Sequence, residues 1–213
     1  MNTLPVLSAL QLDALREVAN VASGHGATAL AQLLGRRTMI TTPEVSVARV
    51  EEIPSLLGYS AERAVIVAMQ LLGDVTGTLV FMLPVHRTLA LSRLLLGELA
   101  SGTDEFDDLA QSSLAETGNI IGGAYAGALG SMMHRIVMLS TPAFGIEPPD
   151  NVLAKQRIAD QEQLGLCIDT RLTVGSEGAE FGGHIVLLPY AASLKAIFVA
   201  LDQPLNSVLV PAS

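Results

Sequence analysis

The chain has 213 residues, half of them hydrophobic and 15% charged, which excludes a disordered polypeptide and provides for a sizeable core. Its net charge of −9 argues against nucleic acid as the main partner, since phosphate binding wants basic stripes. Mean hydropathy is +0.47, yet no run reaches the roughly 18–20 apolar residues of a membrane span, so no membrane insertion is expected.

In chain order, a helix opens at Ser8 as N-cap and stops at Gly35. Leu15, Val18, Ala19, Ala22, Gly26, Ala29 and Leu33 form its apolar stripe. Asp13, Glu17 and Asn20 gather on the opposite face, within about 60° of one another. Strands are expected at 38–41, 44–51, 62–72 and 75–83, then an amphipathic helix over 85–99. A second long helix over 104–132 opens with Asp104, Glu105, Asp107 and Asp108, which suit the positive end of its dipole. Strands near 135–140, 164–174 and 183–188 follow, and Pro189 precedes a helix over 191–201. The stretch 143–163 reads as a polar connection, with "PPDN" as a turn and "AKQRIADQ" as a short helix. Cys167, the single cysteine, lies in the apolar run "LGLCIDTRL". It reads as a buried small hydrophobe and fits a reducing cytoplasm.

The two long helices carry one pattern. Asp13, Glu17 and Asn20 align with Ser112, Glu116 and Asn119, each 99 residues on, and the same offset takes Pro43 to Pro142. The second apolar stripe, Leu114, Thr117, Gly118, Ile121, Tyr125, Ala128 and Met132, lies opposite the second polar triad. One triad alone is an ordinary solvated face; two on one periodic frame are not. The expected fold is α/β (α+β), with two pseudo-twofold-related halves sharing a β-sheet. It forms a single domain over 1–213 made of repeats at about 8–100 and 104–203.

Beyond each asparagine the polar face continues through very small residues: Gly24 and Ala27 in the first helix, Gly123, Ala126 and Gly127 in the second. Helical glycine costs roughly 0.5–1 kcal/mol relative to alanine. Either tight helix packing or the close approach of a partner could account for it. A carboxamide can hold a water in a fixed direction, and a carboxylate can accept a proton or bind a cation. Neither half supplies a Ser-His-Asp set, a phosphate loop or a carboxylate cluster for a metal, and the four histidines lack ligand spacing. Chemistry by Glu and Asn alone must work by positioning, on a substrate that brings its own metal and activated bond.

[Asp/Ser]-x3-Glu-x2-Asn-x22-Pro, present as Asp13, Glu17, Asn20, Pro43 and as Ser112, Glu116, Asn119, Pro142, resembles the signature of the CheC/CheX/FliY phosphatases of chemotaxis. Two copies without a C-terminal switch domain look like the CheC type. The resemblance implies a cytoplasmic phosphatase acting on the aspartyl phosphate of the response regulator CheY. Asn20 and Asn119 would orient the attacking water, and Glu17 and Glu116 would meet the regulator's lysine. The Mg²⁺ would be the regulator's, with no cofactor of this chain's own, and CheD is implied as a further partner. Asp13 and Ser112 would support the glutamates; Pro43 and Pro142 would shape turns. A non-catalytic adaptor for CheY or CheD is the alternative. Like charge beside Glu17 makes the second site the expected better one.

Overall fold

A computed structural model describes residues 7–41, 44–59, 62–97, 106–156, 163–175 and 179–202. The first half runs α1 (Ala9–Leu34), β1 (Thr38–Thr41), β2 (Val45–Arg49), α2 (Ile53–Leu56), β3 (Ala64–Gly73), β4 (Gly77–Pro84) and α3 (Val85–Leu96). The second repeats that order as α4 (Asp108–Met133), β5 (Val137–Leu139), β6 (Ala143–Glu147), α5 (Pro149–Gln156), β7 (Leu164–Val174), β8 (Ala179–Pro189) and α6 (Ala191–Leu201).

The ends of the long helices follow from local chemistry. The Ser8 hydroxyl accepts from the Gln11 amide at 3.1 Å while the Gln11 side chain accepts from the Ser8 amide at 2.9 Å. Such a capping box is worth about 1 kcal/mol. Gly35 closes α1 in the left-handed conformation, φ 59°. In α4 the Asp107 carboxylate takes the Ala110 amide at 2.8 Å, and His134 makes the left-handed stop at φ 51°.

All eight strands form one antiparallel sheet in the order β1-β7-β8-β4-β3-β5, with β2 also on β7 and β6 also on β3. The expected fold class holds: the order reads the same from either end once β1, β7 and β8 are matched to β5, β3 and β4. Each half lends its first two strands to the other half's long strand, as in Val47 opposite Leu166 and Ile146 opposite Val65. Period-two alternation then makes two cores. Val67, Met69, Leu71, Ile185 and Leu187 face α1, α4 and α6. Ala64, Ile66, Val186, Leu188 and Cys167 face α2 and α5 on the other side. Burial pushes the Cys167 thiol up to about 12, so it stays a protonated, inert core group.

Four expectations need correction. Residues 143–147 form β6 rather than a polar connection. "PPDN" is no turn; Pro149 starts α5, since a proline at the first helical position gives up an amide that had no partner. The short helix expected at 154–161 therefore lies earlier, and 157–161 fall outside the described residues. On α1 it is Leu30, not Leu33, that closes the core stripe: Leu30 is buried and Leu33 is 57% exposed. Pro43, Asp104, Glu105 and the end of the helix expected over 85–99 also lie outside the described residues.

Candidate functional site

α1 and α4 lie against each other on one face of the sheet. They are close enough that a β-carbon on Gly26 would stand 3.7 Å from that of Ala124 and 3.8 Å from the Ile121 Cα. On α1, Ala14, Leu15, Ala19 and Ala22 face inward. That turns Asp13, Glu17 and Asn20 to the surface, all exposed. Asp13 pairs with Arg16 at 3.4 Å, a surface contact worth little in stability. On α4 the inward set is Leu114, Thr117, Gly118, Ile121 and Tyr125, leaving Ser112 and Glu116 exposed and Asn119 half-buried. Pro142 is half-buried in the connection between β5 and β6.

Two glycines seat α4 directly on the strands. A β-carbon on Gly118 would come within 2.8 Å of Val67 Cγ1, and one on Gly122 within 2.8 Å of Met69 Cε and 3.0 Å of Leu139 Cδ1. Close packing is thus the reason for these two. Gly24, Gly123 and Gly127 differ: an added β-carbon there meets nothing within 4 Å. Ala27 is half-buried, and Ala126 is 4% exposed, lining a small apolar gap with Leu15 and Val18 of α1. The smooth exposed run therefore consists of Gly24 on α1 and of Gly123 and Gly127 on α4.

The carboxylates and amides stand on convex helix faces, not in one pocket. Glu116 borders a groove of about 410 Å³ between the ends of α1 and α3, lined by Leu33, Arg36, Leu94 and Leu95, and no member of the first triad lines it. Among the described residues no three His, Cys, Asp or Glu side chains gather as a metal site. Among them also, no helix is long and apolar enough to cross a membrane. A glutamate and an asparagine presented on a convex surface have the geometry to enter a cleft in another molecule, where the rest of the chemistry would reside.

Two polar features escape a reading by helical faces. The Tyr125 hydroxyl of α4 lies 3.3 Å from the Ser23 hydroxyl of α1, both buried. On the far face of the sheet, the Tyr59 hydroxyl donates to the Met82 carbonyl at 3.0 Å, and His184 Nδ1 lies 3.3 Å from it. His184 Nε2 is 3.9 Å from Asp169. Burial holds the His184 pKa below the usual histidine value, with the Asp169 charge partly opposing. The Ser23–Tyr125 and Tyr59–His184 contacts join residues more than a hundred positions apart, which no local periodicity signals.

Residues 10–47, which contain Asp13, Glu17, Asn20 and Pro43, match the CheC-like family. The chain is 28% identical over 200 residues to the CheY-P phosphatase CheC of Bacillus subtilis, covering 92% of this chain and 95% of that protein. The fold is that of Thermotoga maritima FliY, with a TM-score of 0.74 at 21% identity, covering 92% of this chain and 98% of that one. The CheX–CheY–BeF3–Mg²⁺ complex of Borrelia burgdorferi includes a chain matched at TM-score 0.50 and 18% identity, covering 84% and 99%. The chain thus resembles the CheC-like family in sequence, and FliY in fold.

Proposed function

We propose that this CheC-like chain removes the phosphoryl group from the aspartate of a phosphorylated CheY-type response regulator. The observation that carries the reading is the twice-presented Glu–Asn pair on convex helices, with open glycines beside it. Similarity to a CheY-P phosphatase and to a chain from a CheX–CheY complex supports it. In this reading α1 or α4 enters the regulator's cleft, and Glu17 or Glu116 pairs with its lysine. Asn20 or Asn119 holds one water in line with the phosphorus. The water oxygen forms the new P–O bond as the bond to the aspartyl oxygen breaks. Inorganic phosphate leaves, and the aspartate carboxylate is regenerated. The metal that neutralises the phosphoryl oxygens is the regulator's, and this chain contributes position rather than covalent chemistry. Asp13 and Ser112 support the glutamates; Gly24, Gly123 and Gly127 give the regulator's backbone room to approach. A cytoplasmic setting goes with that substrate, and CheD is a second partner by the same resemblance.

The test is turnover of phosphorylated CheY by the parent chain, Asn20→Ala, Asn119→Ala and the double variant. Thermal unfolding of each variant separates a loss of fold from a loss of chemistry. Losing a positioned water should cost on the order of a hundredfold at each site. The expected result is a double variant that binds phospho-CheY yet leaves its decay at the spontaneous rate. Asn20→Ala should retain more activity than Asn119→Ala. If all four proteins bind and none accelerates decay, the pair is a docking face and the phosphatase reading is wrong.

A further inference from the structure

The pseudo-twofold that relates α1 to α4 breaks down where Ser23 meets Tyr125 in the helix interface. The offset of 99 residues carries Ser23 onto Gly122 and Gly26 onto Tyr125. On one side of the axis the pair is Ser23 and Tyr125, joined hydroxyl to hydroxyl at 3.3 Å. On the other side the pair is Gly26 and Gly122, neither with any side chain. The consequences for the two helices differ. α4 rests on apolar groups of the sheet through Gly118 against Val67 and Gly122 against Met69, Leu79 and Leu139. α1 has Ala19 and Ser23 at the matching positions, and its hydroxyl is met by Tyr125 from the neighbouring helix.

Tyr125 is 5% exposed and Ser23 3%, so no bulk water can replace the bond if it is lost. Burial raises the Tyr125 pKa, with the Ser23 and Thr170 side chains partly opposing, so the hydroxyl stays protonated. Ser23 lies three positions after Asn20, within one turn of α1, with Asn20 facing out and Ser23 facing in. Whatever fixes Ser23 fixes the height and rotation of the turn that presents Asn20.

We infer that Tyr125 is a positioning residue for the first site: its buried bond to Ser23 sets the turn of α1 that carries Asn20. The second site, whose helix is seated by Gly118 and Gly122, does not use it. The inference rests on the phosphatase reading for its functional consequence and on the geometry alone for its structural one.

The experiment uses single-site backgrounds of the full chain. Tyr125→Phe removes only the hydroxyl. In the Asn119→Ala background, where the first site works alone, kcat on phospho-CheY should fall about three- to tenfold, with KM within twofold. In the Asn20→Ala background the same change should leave kcat within twofold. Ser23→Ala removes the bond from the other side with little change in volume and should reproduce the pattern. The two together should be no worse than either alone. Amide hydrogen exchange gives a readout that needs no activity. Residues 17–24 should exchange faster in Tyr125→Phe, and residues 116–123 should not. Equal losses in both backgrounds, or unchanged exchange over 17–24, would overturn the inference. If neither background turns over phospho-CheY while exchange shifts as described, the positioning holds and the phosphatase reading is what fails.

Discussion

Alanine at Gly123 and Gly127 separates the two reasons a helix can have for glycine. Both residues lie on the exposed side of α4, and a β-carbon at either meets nothing within 4 Å. Inside this molecule the substitution has only a benefit, about 0.5–1 kcal/mol each from the reduced freedom of the unfolded chain. The two positions lie one helical turn apart, and together the gain is at most about 1–2 kcal/mol. For a chain of 213 residues that corresponds to a rise of about 2–8 °C in Tm. On the docking reading each new methyl stands about 1.5 Å proud of a surface that must meet another backbone. A misplacement of about 1 Å can cost on the order of a hundredfold in rate. The double variant, made in the Asn20→Ala background so that only the second site reports, should melt higher and turn over phospho-CheY at least tenfold more slowly. Thermal unfolding and phosphate release on one preparation decide it. A protein that melts higher and keeps full turnover would show that these glycines make room for nothing.

Gly118→Ala should behave in the opposite way. Its β-carbon would stand 2.8 Å from Val67, a fully buried and stiff side chain, so overpacking costs about 1–3 kcal/mol against a helix-propensity gain of about 1 kcal/mol. A net loss of about 0–2 kcal/mol in urea denaturation is expected, with turnover falling at the second site because Asn119 is the next residue; a variant more stable than its parent would refute the contact. Acid should expose His184. Its folded pKa lies below the ordinary value of 6.5, so stability is complete above pH 6.5 and is lost as pH falls through the folded pKa, where the unfolded chain binds the extra proton. One such group contributes at most about 1.4 kcal/mol per pH unit. His184→Gln should therefore lose less Tm than the parent between pH 7.5 and 5, and equal losses would show that this ring is not the group responsible.

Much of the fold was legible because its long elements are locally consistent. Ser8, Gly35 and the apolar stripe bound α1 unaided, and the runs that became β3, β4 and β7 are long and apolar enough to name themselves. β6 was not, because its residues are only half-buried and its existence depends on backbone pairing with β3, from Ala68 opposite Ala143 to Ala64 opposite Glu147. α2 has four residues, too short for any period. On the site, helical arithmetic put Glu17, Asn20 and Glu116 at the surface, where they are exposed. It could not foresee that α1 leans across Ala126, which buries a residue the same arithmetic places among the small exposed ones. The Ser23–Tyr125 bond spans 102 positions and depends on how two helices cross, which a single sequence does not encode at short range.

The exchanged strands explain why the two constellations share one body. β1 and β2 pair with β7 of the other half, and β5 and β6 pair with β3, so neither half completes its own sheet. The pairing of β4 with β8 closes the middle, from Gly77 opposite Pro189 to Met82 opposite His184. Gly77, at φ 152°, has its Cα so close to the Leu188 carbonyl that a β-carbon would clash with that oxygen, so the two halves meet there backbone to backbone. Each long helix then touches both repeats. α1 touches Ile40 of its own half through Gly26 and hydrogen-bonds Tyr125 of the other. α4 rests through Gly122 on Met69 and Leu79 of the first half and Leu139 of its own. A change under one helix is therefore felt through a sheet the other helix also uses. Independence of the two sites then depends on the contacts at which the twofold fails, and Ser23 with Tyr125 is such a contact, built from buried hydroxyls.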